Sequence, residues 1–140
     1  MAWPNVQDFS WVRKKVLKYR TGSEPAETLV VYSSCVTPNT DARRLMSSGT
    51  ILTKITSGVG EGKYGPYLKT AADGRQTLDA TNQAYVLLTG KDVTLGEEAV
   101  EGLWMDCIFN RPVINEVNGI SNVAAQLTLL KAAFPQSEFA

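Results

Sequence analysis

The chain has 140 residues, 14 basic and 14 acidic side chains, no formal net charge and no histidine. Nucleic-acid binding as the main activity would call for a basic surplus to neutralise phosphates. The missing histidine removes the commonest general base, the commonest metal ligand and the usual partner of a Ser or Cys nucleophile. An apolar fraction of 44% and a charged fraction of 20% predict one folded domain with an ordinary core rather than a disordered chain.

The opening segment, residues 1–28, reads as an N-terminal arm. It mixes Trp3, Phe9, Trp11, Val16, Leu17 and Tyr19 with a basic cluster of Arg13, Lys14, Lys15, Lys18 and Arg20. Phe9, Val12, Val16 and Tyr19 fit a helical spacing, while Trp3-Pro4 and Ser23–Pro25 fit an extended chain. Both conformations remain open on periodicity. Functionally the segment is either an arm that docks on a partner or an element packed on its own domain.

Residues 29–140 read as a β-rich domain. A strand is predicted over 29–36, rich in β-branched residues, followed by a turn at Thr37–Asp41. Thr50–Thr56 alternates apolar and polar residues, which predicts a half-exposed strand with Ile51, Thr53 and Ile55 on one face and Leu52 and Lys54 on the other. A glycine-rich loop, 57–62, leads to the aromatic segment Lys63–Leu68, and Asp73-Gly74 marks a turn. Residues 84–89 form the most hydrophobic predicted strand, 93–95 a short strand or edge, and 99–109 a long strand that Val113-Ile114 extends. The closing segment 121–134 places Val123, Leu127, Leu130 and Phe134 on one face, with Ser121 or Asn122 to cap it and Pro135 to stop it. This predicts an amphipathic helix. The sum is a mostly β, α+β domain.

Signals for chemistry are weak. The stretch Ser57–Lys63 superficially resembles a phosphate loop, but Lys63 is followed by Tyr64-Gly65-Pro66 rather than by Ser or Thr opening a helix. Glu97, Glu98 and Glu101 lie around a predicted turn and strand, which favours a solvated acidic turn over an acid–base pair. Cys35 and Cys107 sit in apolar contexts, and two buried free thiols in a reducing cytoplasm are expected. No apolar run approaches the ~20 residues of a membrane span. The reading is therefore a non-enzyme, with no cofactor, metal, nucleic acid, membrane or small-molecule substrate. The best binding candidate is the basic-aromatic N-terminal segment, since aromatics and Arg are enriched at interface hot spots.

One order of features is distinctive. Ser48-Gly49-Thr50-Ile51-Leu52 enters a strand, then come Lys63-Tyr64-Gly65-Pro66-Tyr67 and Asp73-Gly74. Ala84-Tyr85-Val86-Leu87-Leu88 follows with its Lys91-Asp92-Val93 turn, then Val100-Glu101-Gly102-Leu103-Trp104, then a closing helix with Leu127, Leu129, Leu130 and Lys131. This progression resembles the lambda-type (D-like) bacteriophage head decoration proteins over residues 29–134. The resemblance implies a compact β-tulip or β-barrel-like fold with a C-terminal amphipathic helix and an N-terminal arm. It implies a structural virion protein on the outer surface of the head, a homotrimer at the three-fold and quasi-three-fold positions of an expanded capsid. The partner implied is the major capsid protein, gripped by the arm. On that reading Trp3, Phe9, Trp11, Arg13, Lys14 and Lys15 are the candidate capsid contacts, and Tyr64, Tyr67 and Trp104 the candidate trimer or core residues. The alternative is another virion module of similar build, such as a tail or head-completion protein.

Overall fold

The structure is a computed structural model, and it describes residues 10–12, 14–19, 24–79, 82–120 and 124–140. It is mostly β, with two α-helices and ten strands among the described residues. In chain order the strands are β1 (Leu17–Tyr19), β2 (Ala26–Val31), β3 (Leu45–Met46), β4 (Ile51–Lys54), β5 (Tyr64–Pro66), β6 (Tyr85–Leu87), β7 (Lys91–Asp92), β8 (Glu98–Leu103), β9 (Ile108–Phe109) and β10 (Glu138–Phe139). The helices α1 (Arg111–Asn118) and α2 (Ala124–Ala133) fall between β9 and β10.

Five strands close into a barrel in the order β2-β5-β4-β6-β8. Its longest seam is the antiparallel pair of β2 and β8, in register from Ala26↔Leu103 to Val31↔Glu98. Alternation along that pair sends Leu29 and Val100 inward and leaves Thr28 and Glu101 exposed. Gly102 lets two inner side chains approach closely, because a Cβ there would stand 2.8 Å from Leu29 Cδ1 and 2.8 Å from Tyr85 Cβ. The barrel closes through a short parallel seam, Val31↔Tyr64, where Tyr32 N also donates to Tyr64 O at 2.9 Å.

The barrel carries two cores. Inside it pack Leu29, Val31, Leu52, Tyr85, Leu87 and Val100, closed off by Val36, Met46 and Val93. Outside it a second layer covers Ile51, Val86 and Leu103 with Val16, Leu17, Phe109, Ile114, Leu130, Phe134 and Phe139. That layer is made of the helices and a small sheet ordered β1-β9-β10. Phe109, Phe134 and Phe139 form its aromatic centre, with ring centroids 5.2–5.7 Å apart.

This double covering corrects the half-exposed reading of 50–56: Ile51, Leu52 and Thr53 are all buried. The long strand expected over 99–109 is two strands in two sheets. It breaks after Leu103 because the chain turns out of the barrel through Asp106, which has φ 56°. Backbone groups in the break are taken up by the C-terminal segment: Asp106 N donates to Gln136 O, and Ser137 Oγ donates to Trp104 O. Val113-Ile114 belongs to α1, not to an extended strand. Pro112 sits in the first turn, where its missing N–H costs nothing, and Gly119 ends the helix in the left-handed conformation. The edge expected at 93–95 is shifted to β7, since Asp92 accepts a hydrogen bond from Thr94 N and turns the chain. The closing helix is present as α2, with Leu130 and Phe134 buried and Leu127 partly so. Its proposed caps Ser121 and Asn122, and Val123, lie outside the described residues. Among the described residues no helix is long and apolar enough to cross a membrane.

Candidate functional site

The binding candidate is the N-terminal segment, so what holds its described part matters most. Trp3, Phe9 and Arg13 lie outside the described residues. Trp11, Lys14 and Lys15 lie within them. A single 3-10 turn, Ser10–Val12, is followed by extended chain and β1. Of the two conformations open on the sequence, the described part is chiefly extended.

This stretch is fastened to its own domain. Trp11 O accepts from Ser48 N at 2.7 Å, Ser47 Oγ at 3.1 Å and Ser48 Oγ at 3.1 Å. The next carbonyl, Val12 O, accepts from Gly90 N at 2.9 Å. Lys14 N then donates to Ser48 Oγ at 2.7 Å. Consecutive peptide groups are thus taken by two walls, residues 47–50 and 87–90. These walls are tied to each other by Gly49 N to Leu87 O and Leu87 N to Thr50 O. Each such hydrogen bond contributes about 0.5–1.5 kcal/mol net. The Trp11 ring lies against Gly90, where a Cβ would meet Trp11 Cε3 at 2.7 Å and Val12 Cα at 2.8 Å.

Farther along, Val16 and Leu17 are buried in the outer core, and β1 pairs antiparallel with β9. The division expected between an arm at 1–28 and a domain from 29 is therefore not where the packing changes. It falls inside β2, and Trp11, Val12, Val16 and Leu17 already belong to the body.

The charged candidates separate. Lys14 reaches Glu116 on α1, Nζ to Oε1 at 3.5 Å, and is half-buried. Lys15 is exposed, with its carbonyl accepting from Asn110 Nδ2 at 3.0 Å. Tyr64, Tyr67 and Trp104 do not form one group. Tyr64 and Trp104 both pack edge-on against Tyr85, at 5.5 Å and 6.5 Å, at the inner core. Tyr67 packs on the outer core and lines a groove of about 430 Å³ with Leu68, Leu78, Ile120 and Leu129. Burial pushes the Tyr85 hydroxyl up to about 12 and raises Tyr64 as well.

The acidic residues serve as surface pairs. Glu97 binds Lys63, Glu98 lies 3.9 Å from Lys91, and Glu101 accepts from Thr28 Oγ1 at 3.5 Å. Amides in and beside the glycine-rich loop are taken up locally: Glu61 N, Gly62 N and Lys63 N donate to Gly58 O, Ile55 O and Gly60 O. Lys63 also stands over the Tyr32 ring, 5.5 Å from its centroid. Cys35 and Cys107 are free thiols, Cys107 buried and Cys35 half-buried. Burial raises the Cys35 pKa, opposed by the Arg75 guanidinium. Among the described residues no group of three His, Cys, Asp or Glu side chains is placed to hold a metal.

Two contacts of the N-terminal segment escaped the sequence reading: the Ser47-Ser48 wall and Gly90. Both are turn residues between strands, and their only signal was a Ser-Ser-Gly and a Thr-Gly flanking predicted strands. Comparison of the chain with protein-family models, curated proteins and solved structures finds no match.

Proposed function

We propose that this chain is a structural virion protein that decorates and stabilises the outer surface of an expanded tailed-phage head. It binds the major capsid protein lattice as a homotrimer at three-fold and quasi-three-fold positions, and its N-terminal segment makes the grip. One observation carries the reading. The segments whose order resembles the lambda-type decoration proteins coincide with four strands of one closed barrel: β4, β5, β6 and β8. The remaining features, the Asp73-Gly74 turn, Lys91–Val93 and α2, lie outside that barrel.

The division of labour is physically reasonable. The barrel and its outer layer supply the folded body, and the basic-aromatic segment that precedes β1 supplies the candidate anchors Trp3 and Phe9. Three such segments on one trimer engage a symmetric site together, which multiplies modest contacts. No catalytic step belongs to this proposal.

The test is to mix the purified chain with expanded heads that lack a surface protein and to count bound copies. Hundreds of copies over the lattice are expected. A few copies at one vertex or on a tail would replace this reading with the head-completion or tail alternative, and no binding would remove both. Removing residues 2–9 should abolish binding and leave the fold intact. A cut to residue 20 is unsuitable, because it would also delete Val16 and Leu17 from the core.

A further inference from the structure

The two walls that hold Trp11 and Val12 have a use beyond stability. We infer that the Ser47-Ser48 turn and Gly90 form a socket that fixes the root of the N-terminal segment and so sets how far its anchors reach. This rests on the decoration reading, and it moves Trp11 from capsid contact to positioning residue.

The geometry favours a built seat over incidental packing. Trp11 O has three donors within 3.1 Å, all from Ser47 and Ser48. The Ser48 hydroxyl works in both directions, donating to Trp11 O and accepting from Lys14 N. Ser48 is fully buried, at 0% exposure. On the other wall, only a residue without a side chain leaves space for the Trp11 ring and the Val12 backbone.

Chain length shows what the socket does. Trp3 is eight residues from Trp11, so it reaches at most about 28 Å from the socket. Without the socket the next fixed point is Val16, buried in the outer core and thirteen residues away, and the reach grows to about 45 Å. Effective concentration falls roughly as the −3/2 power of tether length, so the lengthening dilutes each segment about twofold. Of three segments engaging one site, the second and third bind intramolecularly, so together they would lose roughly fourfold.

Gly90→Ala and Ser48→Ala test this without touching the segment itself. For each full-length variant, exchange of the residue 90 amide, which donates to Val12 O and is kept in both variants, reports whether the socket is occupied, and titration onto expanded heads reports the grip. Both variants should keep the wild-type far-UV spectrum, lose protection at residue 90 and bind heads roughly fourfold more weakly. Should Gly90→Ala fail to fold, Ser48→Ala carries the same comparison. An unprotected residue 90 with wild-type affinity overturns the inference and leaves the decoration reading standing. Protection retained in every folded variant overturns it too. Wild-type chain that does not bind heads overturns the decoration reading itself, and this inference with it.

Discussion

The barrel and the layer packed on its outside are held by different means. The barrel relies on a closed ladder, and the β2–β8 seam alone pairs six residues on each strand. The layer has strands of two or three residues and depends on side chains from distant parts of the chain, Val16, Phe109, Ile114, Phe134 and Phe139. The two are joined because β4 and β6 face both ways: Leu52 and Leu87 point into the barrel, Ile51 and Val86 into the layer. A fold of this kind can place half its core outside its main sheet and still behave as one unit, provided central strands are shared.

The largest effect is expected where the layer is most centred. Phe109→Ala removes the ring that touches both Phe134 and Phe139 and should cost about 3–5 kcal/mol. If shared strands couple the cores, the slowest amides of β2 and β8 lose as much protection as those of β9. Unchanged barrel amides would mean that the layer opens by itself.

Asn118 is the joint between the regions. Its Oδ1 accepts from Ile51 N at 2.7 Å, and its Nδ2 donates to Gly49 O at 2.9 Å. Asn118→Ala leaves both buried backbone groups unpaired and should cost about 2–4 kcal/mol in a denaturant titration. A loss under about 0.5 kcal/mol would show that the helix is not fastened there.

Alkaline pH probes the barrel side. The folded pKa of Tyr85, about 12, lies above the ordinary value near 10. The folded state therefore holds this proton more tightly than the unfolded one. The stabilisation is complete below about pH 10 and is lost as pH rises from about 10 to about 12. Tyr64 is raised for the same reason and adds in the same direction. Tyr85→Phe should flatten stability against pH across that window; an unchanged slope would place the titrating group elsewhere.

The smallest effect belongs to the surface. Glu97→Gln removes the partner of Lys63 at partly exposed positions and should change stability by less than about 0.5 kcal/mol.

The barrel was the legible half. β-Branched residues marked β2, expected over 29–36 and found over Ala26–Val31, and an apolar run marked β6; alternation marked β4 and β8, although β4 is buried on both faces. The layer was harder to read for reasons visible at particular residues. β9 was fused to β8, since Asp106 is the one polar residue from Leu103 to Phe109 and its positive φ marks the break between them. α1 hid behind Asn110-Arg111-Pro112, which punctuates a strand end as readily as it opens a helix. β10 is two residues long and exists through its pairing with β9, which local sequence does not encode. The basic-aromatic character of the N-terminal segment was plain. Its docking from Trp11 to Leu17 was not, because it depends on a Ser-Ser turn and a glycine 37 and 79 positions farther on.

The central claim is placement on a capsid lattice. Imaging expanded heads mixed with the full-length chain tests it most directly. The account predicts three-lobed density on the outer surface at every three-fold and quasi-three-fold position. Bare lattice positions at saturating protein, or density confined to a vertex or tail, would contradict it.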